Sequence, residues 1–105
     1  MLLPVPRRSA TITAIVHVDC ETNSIPEVAD TLANLDGVSE VYSVAGNVDL
    51  IAVVRVRDFE DIAKVIAGGI SKTAGVVNTE TFIAFQAYSR HDLDAAFALG
   101  FPAAD

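Results

Sequence analysis

The sequence predicts an α+β domain in which four strands and two helices follow one another in the order β-α-β-β-α-β. Runs of alternating apolar and polar residues, typical of strands with one buried face, are separated by runs with apolar residues at helical spacing. The two halves of the chain also resemble each other at an offset of 38 residues. A length of 105 residues accommodates one domain of this size.

The first half predicts one strand and one helix. The apolar positions of the alternating run 10–18 are Ile12, Ala14, Val16 and Val18. A polar loop over 19–23 follows it. Ser24 and Glu27 then have the spacing of a capping box, and Gly37 stands where a helix commonly ends. The apolar stripe of this helix consists of Ile25, Val28, Ala29, Leu32 and Leu35.

Two further strands are predicted over residues 38–45 and 50–57. The residues between them, Gly46-Asn47-Val48-Asp49, are typical of a turn, because Gly and Asn tolerate positive φ. Because the connection is so short, we expect the two strands to form an antiparallel hairpin.

The second half predicts another helix and the last strand. Asp58 is placed to cap the helix, which we expect to continue to about Lys72, with Gly75 beyond its end. The glycine pair that starts at Gly68 weakens the helix, because each glycine costs about 1 kcal/mol relative to alanine. A break at Gly68 is the alternative. Residues 76–88 form the fourth predicted strand.

We therefore expect residues 1–105 to form a single domain, with a core over 10–88 and a C-terminal helix or extension over 89–101. Phe97 and Phe101 in this extension are candidates either for contact with a neighbouring subunit or for covering the domain's own helices.

The internal repeat predicts the topology. Gly37-Val38 corresponds to Gly75-Val76, so each half is a β-α-β unit, and two such units give the ferredoxin-like arrangement. We expect a four-stranded antiparallel sheet in the order 4-1-3-2 with both helices on one face. Apolar residues also point to the other face, among them Ile15, Ile51, Val53 and Phe82. Because exposed apolar patches usually mark association surfaces, we expect a homodimer packed sheet to sheet, a dimeric α+β barrel.

Composition excludes several functions. Fourteen acidic residues against seven basic ones give a net charge of −7, and the basic residues are scattered. A nucleic-acid binder needs a basic patch, so we expect no direct contact with DNA or RNA. One cysteine and two histidines predict neither an internal disulfide nor a metal site. The sequence predicts no cofactor. No apolar run is long enough to span a membrane, so we expect no integral membrane protein. The single cysteine is typical of a reduced thiol, so we expect a cytoplasmic protein.

Motifs for catalysis are also missing. The sequence has no glycine-rich phosphate loop and no Gly-x-Ser-x-Gly elbow. His17 and Cys20 lie at odd spacing on a strand and therefore point to opposite faces. We expect Cys20 to be an unreactive thiol, and His91 to be a surface residue.

The best candidate for a binding site is the turn over residues 46–49. Main-chain N–H groups in such a turn suit a carboxylate, and Asp49 suits an ammonium group. Ordinary turn chemistry explains the same residues. Thr79 and Thr81 are a second candidate, since both hydroxyls lie on one face of the last strand.

These motifs, in this order, resemble the effector-binding domain of the leucine-responsive regulator/AsnC family, also called the regulation-of-amino-acid-metabolism domain. The resemblance covers residues 10–88. It is carried by the Gly-x-x-Asp turn at 46–49 and by the run Gly-Val-Val-Asn-Thr-Glu-Thr at 75–81. Residues 35–38, Leu-Asp-Gly-Val, also fit.

The resemblance implies a partner and an assembly. In the family, amino acids bind between neighbouring dimers, and dimers often form octameric rings. Matching positions imply that Gly46 and Asp49 contact the ligand's backbone groups and that Asn47 and Val48 line the site. The other implied ligand-binding residues lie on strand four: Thr79, Thr81, Phe82 and Ile83. An aromatic residue often stands where this chain has Val48.

The resemblance also implies a place in transcription regulation. Family members usually carry an N-terminal helix-turn-helix domain, for which this chain has no room. We therefore expect a stand-alone effector domain that co-assembles with full-length regulators of the family.

Two other families share the predicted order of elements. ACT domains bind amino acids too, but they carry an Asp-x-Pro-Gly-like loop after strand one, where this chain has Asp19-Cys20-Glu21-Thr22-Asn23. Dimeric α+β barrel monooxygenases need polar or aromatic residues that face an internal cavity, and this chain has no Trp and only two Tyr.

Overall fold

The computed structural model describes residues 11–88 and Arg90. Their strands and helices are β1 (Ile12–Cys20), α1 (Ile25–Ala33), β2 (Val38–Ser43), β3 (Leu50–Val56), α2 (Phe59–Val65) and β4 (Val76–Ile83). A 3-10 turn, Thr22–Ser24, precedes α1, and a π-helical turn, Ile66–Ile70, follows α2. Apart from Arg90, the C-terminal helix predicted over 89–101 lies outside the described residues, as do His91, Phe97 and Phe101.

The four strands form one antiparallel sheet in the order β2-β3-β1-β4, which confirms the predicted order. Val18 pairs with Leu50 on one side and with Thr79 on the other. At this row, the end of β1, the start of β3 and the start of β4 therefore meet at one end of the sheet.

Both helices cover the same face of the sheet, as predicted. The fully buried residues on the sheet include Ala14, Val16 and Val18 of β1 and Leu50, Ala52 and Val54 of β3. Val28 and Leu32 of α1 and Ile62 of α2 join them in one apolar core. At about 25 cal/mol per Å² of buried apolar surface, this layer is the main stabilising contribution to the fold.

In both halves of the repeat, the helical segment is followed by a glycine with a positive φ. Gly37, before β2, has a φ of +93°, and Gly75, before β4, has a φ of +96°. Side-chain-bearing residues rarely adopt this conformation. The predicted roles of both glycines are therefore confirmed, and the repeat extends to the backbone conformation before each strand.

The predicted helix caps are wrong in detail. Ser24 forms no side-chain capping hydrogen bond, because it belongs to the preceding 3-10 turn and its own backbone is not extended. Asp58 is extended but also forms no side-chain cap. Instead its main-chain carbonyl accepts a hydrogen bond from the N–H of Asp61 at 3.0 Å.

The second helix neither continues regularly to Lys72 nor breaks at Gly68. It widens into a π-helical turn, in which the N–H of Ser71 donates to the carbonyl of Ile66 at 2.8 Å. At Gly69 a Cβ atom would lie 3.2 Å from a methyl carbon of Leu35. The second glycine of the pair thus lets this turn pack closely on the segment that follows α1.

The strand ends differ from the prediction. β1 runs to Cys20, β2 stops at Ser43 and β4 stops at Ile83 rather than Tyr88. The ladder between β1 and β4 ends at the pair Ala14–Ile83, followed by one bond from the N–H of Ala84 to the carbonyl of Thr13. The strand was predicted too long because its apolar alternation continues past the end of the ladder.

Within the described residues, no helix is long and apolar enough to cross a membrane.

Candidate functional site

The turn over residues 46–49 closes the β2–β3 hairpin at the end of the sheet where β1 also ends. The N–H of Val44 donates to the carbonyl of Asp49 at 3.1 Å. Within the described part of the chain, the N–H groups of residues 45–48 form no main-chain hydrogen bond. Residues 45–47 are exposed and Val48 and Asp49 are half-buried. The turn thus holds N–H donors without a main-chain partner at a largely exposed position, as an anion-binding turn requires.

Asp49 has a structural partner. Its Oδ2 atom accepts a hydrogen bond from the main-chain N–H of Cys20 at 2.9 Å, and its own N–H donates to the carbonyl of Val18 at 3.1 Å. Asp49 therefore fastens the hairpin to the end of β1. One of the two carboxylate oxygens therefore has a structural role. The sequence pattern did not predict this role.

Cys20 is buried beside this carboxylate, on the face opposite His17. Burial raises the pKa of its thiol, and the negative charges of Asp49 and Asp19 raise it further. The thiol is therefore protonated near neutral pH, and a protonated thiol is a poor nucleophile. The expectation of an unreactive cysteine agrees with this environment. Around it, the described residues contain no cluster of three metal-ligating side chains.

The strand-four candidates lie on two faces. Thr79 and Thr81 pair with Val18 and Val16 of the helix-covered face, so both threonines are on one face, as predicted. Ile83 shares that face, whereas Phe82 pairs with Ile15 on the opposite one. Phe82 and Ile83 therefore do not face one common pocket within a subunit.

Distance along the sheet also separates the candidates. Thr79 and Leu50 flank the same residue of β1, so their Cα atoms are about 10 Å apart at the usual strand spacing. Thr81 lies two residues further from the turn. The structure thus brings Thr79 to the same end of the sheet as Asp49.

A groove of about 620 Å³ opens at the other end of β3. Its apolar floor includes Leu35, Val56 and Val65, and its rim carries Arg57 and Lys64 with three aspartates. None of the predicted site residues lines this groove. β3 spans about 20 Å between the groove and the turn, so the groove is a separate feature.

The uncovered sheet face carries the apolar residues that the sequence predicted there. Ile15 and Phe82 are 37% and 46% exposed, and Ile51 and Val53 are half-buried. The ring of His17 lies 4.9 Å from that of Phe82, centroid to centroid. We call this surface, with Tyr42 and Glu40 at its β2 edge, the bare face.

The family is established by a match along most of the chain. Residues 13–93 match the protein-family model described as the Lrp/AsnC ligand binding domain. The chain belongs to the Lrp/AsnC family. This is a family of ligand-binding domains of transcriptional regulators and not of enzymes. The alternative assignment to the dimeric α+β barrel monooxygenases is therefore wrong.

Solved structures agree with this Lrp/AsnC assignment. A protein from Thermus thermophilus is 43% identical, with a TM-score of 0.71 over 75% of this chain and 99% of that one. The protein FFRP-DM1 is 30% identical, with a TM-score of 0.67 over 70% of this chain and 99% of its own. A transcriptional regulator from Neisseria meningitidis, solved as a complex with L-Met, shares the fold at 12% identity and a TM-score of 0.71, over 85% of this chain and 60% of that one.

Curated Lrp/AsnC relatives are longer. An uncharacterized HTH-type transcriptional regulator of Pyrococcus horikoshii is 37% identical over 59 residues, which are 56% of this chain and 39% of the regulator. One of Pyrococcus furiosus is 32% identical over 72 residues, which are 69% of this chain and 49% of the regulator. The matched segments thus span less than half of these relatives.

The bare face of this Lrp/AsnC domain also carries a polar cluster that the sequence did not lead us to predict. Glu40 accepts hydrogen bonds from the hydroxyl of Tyr42 and from the guanidinium of Arg55, the latter at 3.1 Å. These contacts lower the pKa of Glu40, and the Glu40 carboxylate raises the pKa of Tyr42. The available signal was the spacing of Glu40 and Tyr42, two residues apart on one strand opposite β3.

Proposed function

We propose that this domain binds an amino acid or a similar small effector and couples that binding to its state of assembly in transcription regulation. The observation that carries the proposal is the match of residues 13–93 to the Lrp/AsnC ligand binding domain. The net charge of −7 suits a domain that does not itself contact DNA. That contact belongs to the helix-turn-helix domains for which the curated relatives are named.

The turn at the end of the sheet supports an amino-acid ligand. The free N–H groups of residues 45–48 suit its carboxylate, and the second oxygen of Asp49 suits its ammonium group. Thr79 adds a hydroxyl at the same end of the sheet. The L-Met complex of the Neisseria meningitidis regulator is a precedent for such a ligand on this fold.

A second subunit is needed to complete the proposed site. The turn is largely exposed, and Thr79 and Thr81 lie on the edge strand β4. We propose that the ligand lies between neighbouring dimers, with Gly46, Asn47, Val48 and Asp49 on one side. Phe82 and Ile83, on opposite faces of β4, contribute to the surroundings of the site rather than to one wall of it.

The bare face supports the dimer. Its centre is apolar, and polar groups such as the Glu40–Arg55 ion pair lie toward its β2 edge, as in many association surfaces. We propose a homodimer packed through this face, which further assembles into octamers in the cytoplasm. Full-length regulators of the same family are the proposed partners in mixed assemblies.

The test measures mass by light scattering and thermal stability with each of the twenty amino acids in turn. A ligand that binds only the native state at a concentration 100 times its Kd stabilises that state by about 2.7 kcal/mol. We expect one or a few amino acids to raise the Tm and to change the mass. If none of the twenty changes either quantity, an amino-acid effector is refuted.

Two variants test whether the ligand binds at the turn over residues 46–49. Asp49→Asn keeps an oxygen that can accept the Cys20 N–H and removes the charge offered to an ammonium group. We expect it to raise the ligand's Kd at least about tenfold, as expected for loss of one charged contact. Asp36→Asn removes an equivalent charge at the far end of the sheet and should bind like the wild type. Equal affinity in Asp49→Asn and Asp36→Asn would contradict the proposed site.

A further inference from the structure

The ladder between β1 and β4 contains a β-bulge at the end of the sheet that carries the candidate site. Cys20 pairs with Val76, and the residue before Cys20 pairs with Asn78. Val77 is thus an extra residue between the two pairs. Main-chain bonding resumes on the other side of the bulge, through a hydrogen bond of 2.9 Å that the carbonyl of Gly75 accepts. Val77 therefore belongs to a bulge within a bonded ladder and not to a frayed strand end.

The bulge gives Val77 a different environment from its neighbour. Val77 is 67% exposed, whereas Val76 is half-buried and packs against the core. A bulge changes the direction of a side chain from the one that regular alternation gives it, and bulges are common beside functional sites. The extra residue thus places an apolar side chain outside the core, at the end of the sheet where Asp49 lies.

Val77 lies within reach of an effector that Asp49 holds. Oδ2 of Asp49 is 2.9 Å from the main-chain N of Cys20, and Cys20 lies one strand spacing, about 4.8 Å, from Val76. The carboxylate and the backbone of Val77 are therefore about 8–10 Å apart. An ammonium–carboxylate hydrogen bond takes about 2.8 Å of this distance, and a contact between carbon atoms takes about 4 Å. The first carbons of the effector's side chain, rather than its tip, therefore lie against Val77.

The other side chains near the bulge limit which amino acid fits. Val48, next to Asp49 in the turn, adds a second half-buried apolar side chain. Asp19 and Glu21, on either side of the residue that pairs with the bulge, are both acidic. A carboxylate on the effector's side chain is repelled there. A polar group close to its Cβ atom loses hydrogen bonds to water when it lies against Val77.

We infer that Val77 is a specificity-determining residue of the proposed site and contacts the first side-chain carbons of the bound amino acid. Amino acids with aliphatic carbons at these positions, such as leucine, valine and methionine, then bind more tightly than serine, asparagine or aspartate. The inference rests on the proposed function, since it requires an amino acid held by the turn over residues 46–49.

The test compares the wild type with Val77→Thr by isothermal titration calorimetry with L-leucine, L-asparagine and glycine. Threonine keeps the branched shape of valine at the bulge and replaces one methyl group by a hydroxyl. In the wild type we expect leucine to bind at least about tenfold more tightly than asparagine. In Val77→Thr that ratio should fall at least about fivefold, because the hydroxyl no longer disfavours a polar side chain.

Glycine is the control ligand, because it makes the same contacts with the turn and has no side chain to place against Val77. Its Kd should be the same in the two proteins. If the Kd values of leucine, asparagine and glycine all rise by the same factor, Val77 acts on the shape of the site and the inference is overturned. An unchanged ratio of leucine to asparagine in Val77→Thr overturns it as well, as does a wild type that prefers asparagine or does not bind leucine.

Asp49→Asn distinguishes this inference from the proposed function. Because it removes the charge that holds the ammonium group, it should weaken leucine and asparagine alike and leave their ratio unchanged. If Asp49→Asn weakens both ligands while Val77→Thr keeps the preference of the wild type, the proposed site stands and the inference about Val77 fails. If none of the twenty amino acids binds the wild type, the proposed function fails, and the inference fails with it.

Discussion

Replacing Gly37 by alanine should destabilise the domain more than a typical surface substitution, for two reasons that the structure separates. Gly37 has a φ of +93°, a conformation that costs a residue with a Cβ atom about 1–2 kcal/mol. The new Cβ would also lie 2.5 Å from Cγ2 of Val65. Displacing a packed side chain costs about 1–3 kcal/mol.

The two costs add to about 2–5 kcal/mol for Gly37→Ala. Gly75 repeats the situation in the second half, with a φ of +96° and a Cβ position 2.7 Å from Cγ2 of Val28. We expect Gly75→Ala to fall in the same range. A domain of this size loses roughly 4–8 °C of Tm per kcal/mol. Each variant should therefore melt at least about 8 °C below the wild type.

Gly68→Ala is the internal control. A Cβ atom at Gly68 would meet nothing within 4 Å, and its φ is not positive. Alanine there should raise the free energy of unfolding by up to about 1 kcal/mol through the entropy of the unfolded chain. Urea denaturation of the three variants under identical conditions measures the differences. If Gly37→Ala and Gly68→Ala are equally stable, the reasoning from φ and close contact is refuted.

Three further predictions concern hydrogen bonds and titration. Asp49→Ala should lower the free energy of unfolding by about 1–3 kcal/mol, because the N–H of Cys20 loses its acceptor. Asp49→Asn should lose less than half of that stability. Equal losses of the two variants in urea denaturation would show that the bond to Cys20 does not contribute to stability. In an ultraviolet titration, Tyr42 should ionise above the ordinary tyrosine pKa, since the Glu40 carboxylate raises it, and Glu40→Gln should return it to the ordinary range. Because the pKa of Tyr42 is raised in the folded state, its contribution to stability is complete below the pKa of the unfolded phenol. That contribution is lost as the pH rises through the pKa of folded Tyr42. Because the pKa of Glu40 is lowered, its contribution is present above the pKa of the unfolded carboxyl group and is lost as the pH falls through the pKa of folded Glu40. Native Cys20 should react with iodoacetamide at least about tenfold more slowly than in urea, since burial raises its pKa, and equal rates would contradict its burial.

The fold was predictable because local patterns repeat the same information. Alternation identified the strands, and the matching Gly-Val pairs at Gly37 and Gly75 identified the two halves and hence the order of the sheet. The errors lie where a local signal competes with tertiary packing. The apolar alternation of β4 continues past Ile83, but its pairing with β1 ends there, apart from the one bond from Ala84 to Thr13. Gly68 and Gly69 are recognisable in the sequence as two residues that weaken a helix. The sequence does not show that the chain forms a π-helical turn there.

The candidate site was less predictable, because the sequence cannot show which atoms of a side chain are already engaged. The pattern at 46–49 indicated a turn with an acidic residue, and the structure bears this out. It did not indicate that Asp49 accepts a hydrogen bond from Cys20, a residue 29 positions earlier in the chain. The Glu40 cluster escaped notice for the same reason, since its partner Arg55 comes from a different strand.

The bond between Asp49 and Cys20 also limits how an effector can use the turn. An ammonium group that displaced the Cys20 N–H from Oδ2 would leave that donor unpaired, at a cost of about 1–3 kcal/mol. An ammonium group that binds the other oxygen keeps the bond, because an ionised carboxylate accepts several donors. The second arrangement is favoured. The bond also links the turn to β1, the strand that carries Ile15 and His17 on the bare face. Under the proposed function, a ligand that tightens Asp49 against Cys20 would therefore act on a strand of the proposed dimer interface.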